Sequence, residues 1–73
     1  MTRAEALQEA RKRWGGKAEI DHQPKRTRKD RHGKIRHHPA YWRVGYQAFG
    51  MMFMIEGDSK VSWEDAFDKA DKA

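Results

Sequence analysis

The feature that most constrains this chain is a basic segment at residues 25–38, in the middle of only 73 residues. The segment holds seven Lys or Arg residues, one acid and one aliphatic side chain, Ile35. Such a density of charge cannot be buried in a small protein. The remaining residues must therefore share one core, which predicts a single domain over residues 1–73 with a flexible basic loop at about residues 24–40.

Charge is distributed unevenly along the chain. Residues 1–43 hold 13 Lys or Arg and 5 Asp or Glu, whereas residues 44–73 hold 3 and 6. This asymmetry favours attraction of an acidic partner to the basic part. The longest uncharged apolar run, residues 48–55, is too short to cross a bilayer, so no membrane partner is predicted. The absence of cysteine suits a reducing cytoplasm.

The N-terminal residues predict an amphipathic helix. Thr2 and Glu5 have the spacing of a capping box, and basic residues at 11–13 suit the end of a helix. Gly15 and Gly16 supply a left-handed stop. We therefore predict a helix at about residues 3–14.

Three segments have the composition of β-strands. Residues 17–22 alternate polar and apolar side chains, and residues 41–47 and 51–56 are rich in aromatic and β-preferring residues. Phe49 and Gly50 are predicted to form a two-residue turn, and residues 57–59 a second turn. Pro24 and Pro39 flank the basic loop.

The two-residue turn sets a predicted register for the second and third strands. Ala48 would then pair with Met51, followed by three pairs further from the turn: Tyr46 with Phe53, Val44 with Ile55, and Arg43 with Glu56. Alternation predicts a core face made of Trp42, Val44, Tyr46, Ala48, Met51, Phe53 and Ile55. The opposite face would carry Tyr41, Arg43, Gln47, Met52, Met54 and Glu56.

A second amphipathic helix is predicted at the C-terminal end. Ser62 is a good N-cap, and Trp63, Ala66, Phe67 and Ala70 follow helical spacing. The predicted fold class is α+β, in the order α-β-β-β-α. One three-stranded antiparallel sheet would have both helices packed on one face.

No pattern in the sequence defines an enzyme. Phosphate-loop and nucleophile-elbow motifs are absent, and the few hydroxyl side chains include the predicted caps Thr2 and Ser62. His22, His32, His37 and His38 do not have the spacing of a preorganised ligand set. We therefore predict neither catalysis nor a metal or other cofactor.

The basic segment has three interpretations. It is a solvated loop, or its cations neutralise nucleic-acid phosphates while nearby aromatic residues stack on bases, or it orders on an acidic protein surface. The last two are not separated by the sequence. The candidate binding residues in and beside the segment are Lys25, Arg26, Arg28, Lys29, Arg31, Lys34, Arg36, Tyr41 and Arg43.

Met52 and Met54 are further candidates for binding a partner. In the predicted register they lie on the face that the helices leave open, and methionine adapts well to protein surfaces. The alternative is a slip of one residue, which would place both side chains in the core.

The whole chain resembles small transcription regulators of lytic phages that bind host bacterial RNA polymerase, of the type found in a phage of xanthomonads. The resemblance is carried by the length, by RWGGKAEI at 13–20 after an N-terminal helix, by the basic middle and by SWEDAFDKAD at 62–71. It implies a non-enzymatic monomer in the cytoplasm of the infected host.

The resemblance also implies a mode of action. The partner would be the largest subunit of the polymerase, near the amino terminus of that subunit, and nascent RNA or the DNA backbone would be a further possible contact. Binding would displace the σ factor, inhibit initiation at host promoters and promote antitermination. The alternative function is a basic nucleic-acid-binding module, such as a phage DNA- or RNA-binding accessory factor.

Overall fold

The computed structural model describes residues 1–72 and has an α+β fold with two helices and five strands. Ala73, included in the predicted domain, lies outside the described residues. The elements in chain order are α1 (Arg3–Trp14), a 3₁₀ helix (Gly15–Lys17), β1 (Ala18–Gln23), β2 (Arg26–Lys29), β3 (Ile35–His38), β4 (Tyr41–Ala48), β5 (Met52–Ser59) and α2 (Trp63–Lys72).

Helix α1 begins and ends where the sequence predicts. The Thr2 hydroxyl accepts a hydrogen bond from the Glu5 backbone N–H at 3.2 Å, and the Thr2 N–H donates to Glu5 Oε1 at 2.8 Å. This capping box satisfies two backbone donors at the start of the helix. Gly15 follows the last helical residue with φ of 78°, a conformation that favours glycine.

The predicted three-stranded antiparallel sheet is confirmed, and its strand order is β1-β4-β5. In the first pair of strands, Ile20 lies opposite Val44, and both side chains are buried. Strands β2 and β3 form a separate two-stranded antiparallel sheet.

The predicted register of β4 and β5 is wrong by one residue next to the turn. Phe49 has φ of 50° and Gly50 has φ of 88°, and the turn contains three residues instead of two. Ala48 therefore pairs with Met52, and Tyr46 with Met54. Because side chains alternate between faces, this slip moves every side chain of the adjoining part of β5 to the opposite face.

Three assignments change as a result. Met51, predicted in the core, lies in the turn and is 89% exposed. Phe53 and Ile55, predicted in the core, lie opposite Gln47 and Gly45 on the open face of the sheet. Met52 and Met54, predicted on the open face, share the side of the sheet on which the helices pack. The alternative of a one-residue slip is therefore correct for the pairing, but neither methionine is a core residue, since Met52 is 57% exposed and Met54 is half-buried.

A β-bulge then shifts the register again. Val44 pairs with Gly57, whereas the next residue, Gly45, pairs with Ile55, so β5 has an extra residue at Glu56. Residues 57–59, predicted as a turn, continue β5 instead. A Cβ atom at Gly57 would lie 2.0 Å from the carbonyl oxygen of Ala66, which shows how closely α2 approaches the strand.

The core lies between the sheet and both helices. Trp14 stacks on Phe67 with ring centroids 6.3 Å apart, and Arg13, which forms an ion pair with Asp71, lies 4.8 Å above the Phe67 ring. These contacts join the end of α1 to α2. The buried apolar side chains are Ala6, Ala10, Ile20, Val44, Trp63, Ala66 and Phe67.

Ser59 links β5 to the start of α2. Its side chain is buried, and its hydroxyl donates to Asp65 Oδ2 at 2.6 Å and accepts from the Val61 N–H at 2.9 Å. Ser62 caps α2 as predicted, since its hydroxyl accepts from the Asp65 N–H at 3.0 Å. Because the Ser59 hydroxyl both donates and accepts a hydrogen bond, burying this serine costs the core little.

Candidate binding site on a basic hairpin

The basic segment contains a β-hairpin where the sequence analysis predicts a loop. Strands β2 and β3 each contain four residues, and all eight side chains are exposed. Their contacts are mainly with each other, and the molecule is elongated, 44 × 27 × 23 Å. The hairpin therefore projects from the sheet with almost no apolar burial of its own.

The turn between these strands explains why a hairpin forms. The Asp30 carboxylate accepts hydrogen bonds from the N–H groups of His32 and Lys34, each at 2.9 Å, and from Arg36 Nε at 3.3 Å. These bonds lower the pKa of Asp30 below its ordinary value, and the bond from the Lys34 N–H makes the largest contribution. Gly33 has φ of 79°. Asp and Gly at these positions are typical of a three-residue hairpin loop, a signal that our sequence analysis missed.

Pairing of the strands places three arginines on one face of the hairpin. Arg26 lies opposite His38, and Arg28 lies opposite Arg36. Since side chains alternate, these four share one face, which we call the arginine face. The reverse face carries Thr27, Lys29, Ile35 and His37.

The positive charge of the arginine face is largely uncompensated. Within residues 1–72, no ion pair joins Arg26 or Arg28 to a carboxylate, and Arg36 pairs with Asp30 alone. Like charges directly opposite each other destabilise a strand pair. The arrangement thus suits binding of an anion between the cations.

A cleft of about 240 Å³ lies where the hairpin joins the sheet. The Tyr41 hydroxyl donates to Asp21 Oδ2 at 3.1 Å, and the Arg43 guanidinium lies 4.0 Å from the centre of the Tyr41 ring. Loss of hydration and the bond to Asp21 raise the pKa of Tyr41, so the phenol stays a hydrogen-bond donor. The cleft is lined by Gln23, Pro24, Arg26, His38, Pro39, Tyr41, Arg43, Asp58 and Lys60.

Arg43 is held on the wall of this cleft. Its Nε atom lies 3.7 Å from Asp58 Oδ1, too far for a good hydrogen bond, and is buried with no hydrogen-bond partner in residues 1–72. The rest of the side chain is 36% exposed. The guanidinium is therefore positioned by Tyr41 and Asp58, with part of its surface available for a ligand.

The structure brings together five of the predicted binding residues: Arg26, Arg28, Arg36, Tyr41 and Arg43. Lys29 points to the reverse face by strand alternation, but it also lines a pocket with Arg28 and Arg36. Lys25 precedes β2, and Arg31 and Lys34 lie in or beside the turn. Met52 and Met54 lie near the far end of the three-stranded sheet. The sequence analysis missed His38 and Lys60 because their positions depend on strand pairing.

A second exposed surface lies at the turn between β4 and β5. Phe49 and Met51 are each 89% exposed, and Met52 follows them. We call these three residues the apolar tip. The positive φ of Phe49 is uncommon for an aromatic residue, so the turn holds this ring in solvent in a strained backbone conformation.

Two structural features are absent from the described part of the chain. Among residues 1–72, no group of three or more His, Cys, Asp or Glu side chains has the arrangement of a metal site. No helix in that range is long and apolar enough to cross a membrane. Comparisons with protein-family models, curated proteins and solved structures gave no match.

Proposed function

We propose that this chain is a non-enzymatic phage regulator that binds host bacterial RNA polymerase in the cytoplasm of the infected cell. It inhibits initiation by displacing the σ factor and promotes antitermination. The choice of polymerase, and of the largest subunit near its amino terminus, rests on the resemblance at residues 13–20 and 62–71. The kind of surface involved rests on the geometry described above.

The observation that most favours a protein partner is the apolar tip. Large apolar side chains clustered in solvent are typical of a protein interaction surface. A protein offers apolar pockets for Phe49 and Met51, whereas the backbone of a nucleic acid offers mainly phosphates. The tip therefore provides the centre of the contact, and the positive hairpin provides attraction to acidic surface.

Three of the four Ser and Thr hydroxyls serve the fold, which supports a binding role without catalysis. Thr2 and Ser62 each cap a helix, and Ser59 joins β5 to α2 through Asp65. These hydroxyls already serve the fold.

Long-range attraction between the positive hairpin and an acidic partner speeds association and is weakened by salt.

A titration against purified bacterial RNA polymerase tests this function. Phe49→Asn keeps a residue that tolerates positive φ while it removes the aromatic ring, and Met51→Ser removes the neighbouring apolar group. We expect the double variant to bind polymerase about tenfold or more weakly. Val61→Ser is a matched control, because Val61 is 71% exposed but lies outside the tip.

The same titration includes duplex DNA at physiological salt. Weak duplex binding together with polymerase binding that depends on the tip supports the proposal. Tight, sequence-selective duplex binding with no polymerase association contradicts it and favours the nucleic-acid-binding module. Polymerase binding that is unaffected by the tip variant would show that the tip does not form the contact.

A further inference from the structure

We propose that the arginine face and the adjoining cleft form a track that binds a single strand of nucleic acid. Phosphates would lie along the arginine face, and a base would enter the cleft beside Tyr41. This site goes beyond polymerase binding, because its contacts are made by the arginine face and the cleft, whereas the centre of the polymerase contact is the apolar tip.

Charge on the arginine face is the first argument. Arg28 faces Arg36, and Arg26 faces His38, across neighbouring strands. Repulsion between Arg28 and Arg36 opposes hairpin formation in the free protein. A phosphate between these two arginines would remove the repulsion, and arginine suits phosphate because its planar group donates two parallel hydrogen bonds.

Spacing along the hairpin is the second argument. Arg26 and Arg28 lie two residues apart on one strand, so their Cα atoms are about 6.8 Å apart along it. That separation is similar to the distance between consecutive phosphates in an extended single strand. Arg26 and Arg28 can therefore contact successive phosphates, and Arg36 lies opposite Arg28 on the neighbouring strand.

The cleft is the third argument. It continues from Arg26 and His38 into the walls formed by Pro24, Pro39 and Tyr41. The Arg43 guanidinium covers one face of the Tyr41 ring, 4.0 Å from its centre. A base would therefore stack on the planar guanidinium or on the opposite face of the ring, and bases of every type stack on such surfaces. A cleft of about 240 Å³ has room for a base.

Carboxylates around the cleft favour a single strand over a duplex. Asp21 lies on the open face of the sheet beside Tyr41, and Glu19 lies two residues from Asp21 on the same strand. The second backbone of a duplex would pass near these negative charges. Asp58 also lines the cleft, but Arg43 lies 3.7 Å from it and offsets its charge.

The test measures binding of fluorescein-labelled 12-nucleotide RNA and DNA single strands, and of the corresponding duplex, by fluorescence anisotropy. Arg26→Gln with Arg28→Gln removes two charges from the arginine face. Lys12→Gln with Lys17→Gln is the matched control, because it removes the same charge from exposed positions outside the hairpin. Circular dichroism checks that both variants keep the fold.

We expect the single strands to bind more tightly than the duplex. The arginine variant should also reduce the slope of log K against log salt by about 1.4, because each lost phosphate contact removes about 0.7. The lysine control should change the slope much less. Equal effects of the two variants, tighter binding of the duplex, or equal competition by polyglutamate of matched charge would overturn the proposal.

The base-stacking part of the proposal has its own pair of variants. Tyr41→Phe keeps the ring and loses only the hydrogen bond to Asp21, so affinity should be retained. Tyr41→Leu should weaken binding about fivefold or more while the salt slope stays the same. Equal affinity of the Leu and Phe variants would show that no base stacks on Tyr41. Preference for the RNA or the DNA strand identifies which of the two the track selects.

Discussion

The three-stranded sheet and the β2–β3 hairpin are both antiparallel, but different interactions stabilise them. The sheet buries Ile20 and Val44 against two helices, whereas no side chain of the hairpin strands is buried. The hairpin depends instead on the Asp30 turn and its own backbone hydrogen bonds. A strand pair that lacks a core can therefore carry a dense positive charge and remain open to a ligand.

The largest effect should follow from removing a side chain that joins the helices. Phe67 is 3% exposed and contacts Trp14 of α1. Phe67→Ala should cost about 3–5 kcal/mol, a large part of the stability of a small domain. Thermal unfolding measures the loss. Ile55→Ala, at a site that is 46% exposed, should cost much less; equal melting temperatures for the parent and Phe67→Ala would contradict the packing described here.

Filling the close contact between β5 and α2 should have the next largest effect. A methyl group at Gly57 meets backbone atoms of Ala66, which cannot move without displacing the helix. Gly57→Ala should therefore cost up to about 3 kcal/mol by overpacking. Gly16→Ala is the matched control, because no atom lies within 4 Å of the added methyl group. If the two variants had the same urea midpoint, the helix would not lie against Gly57.

Acidification should weaken both regions. Hydrogen bonds from Lys34 and His32 lower the pKa of Asp30, and the Ser59 hydroxyl followed by Lys69 lowers the pKa of Asp65, each from an ordinary value of 3.8. A carboxyl group whose pKa is lowered by folding stabilises the protein when the pH is above its ordinary pKa. That stability is lost as the pH falls through the pKa of the folded state. The melting temperature should therefore decrease below about pH 4.

Amide chemical shifts distinguish the two regions during the same acid titration. Protonation of Asp30 should shift the Lys34 and His32 amides, and protonation of Asp65 should shift Val61 and Ser62 through Ser59. Stability that increased as the pH fell below 4 would contradict the hydrogen bonds assigned to these carboxylates.

The smallest effect on global unfolding should come from Asp30→Ala. This change removes the acceptor for two backbone N–H groups and for Arg36, so the hairpin should lose protection from hydrogen exchange. The melting temperature of the core should barely change, because the hairpin contributes almost no buried apolar surface. Asp30→Asn, which keeps one oxygen acceptor, should retain part of the protection. A large drop in melting temperature would mean that the hairpin and the core unfold together.

The same contrast explains which elements the sequence analysis predicted. Helix α1 was predicted at its observed bounds because its signals, from Thr2 to Gly15, are adjacent in the chain. The hairpin was also encoded locally, by Asp30 and Gly33, but the density of charge led us to predict a loop. Mobility of the hairpin in the free protein remains a prediction that relaxation measurements can test.

The pairing of β4 with β5 could not be predicted from residues that are adjacent in the chain. An aromatic residue with positive φ, Phe49, added one residue to the turn, and the bulge at Val44 and Gly45 shifted the pairing again. Because of the bulge, Gly57 lies on the side of the sheet that faces the helices. Only glycine at this position allows α2 to pack so close to β5. The need for glycine at position 57 comes from its contact with Ala66 of α2. Neither β5 nor α2 has a sequence pattern that reveals this contact.

For the candidate binding site too, some properties follow from the sequence and others only from the tertiary structure. Composition alone determined that residues 25–38 are exposed and cationic, since a small core cannot accommodate so many charges. Tertiary structure decided that Arg26, Arg28 and Arg36 share a face with His38, and that Tyr41, Arg43 and Lys60 line one cleft. The physical reason is that solvation is a property of each side chain, whereas strand pairing and a shared cleft depend on backbone contacts between residues distant in the chain.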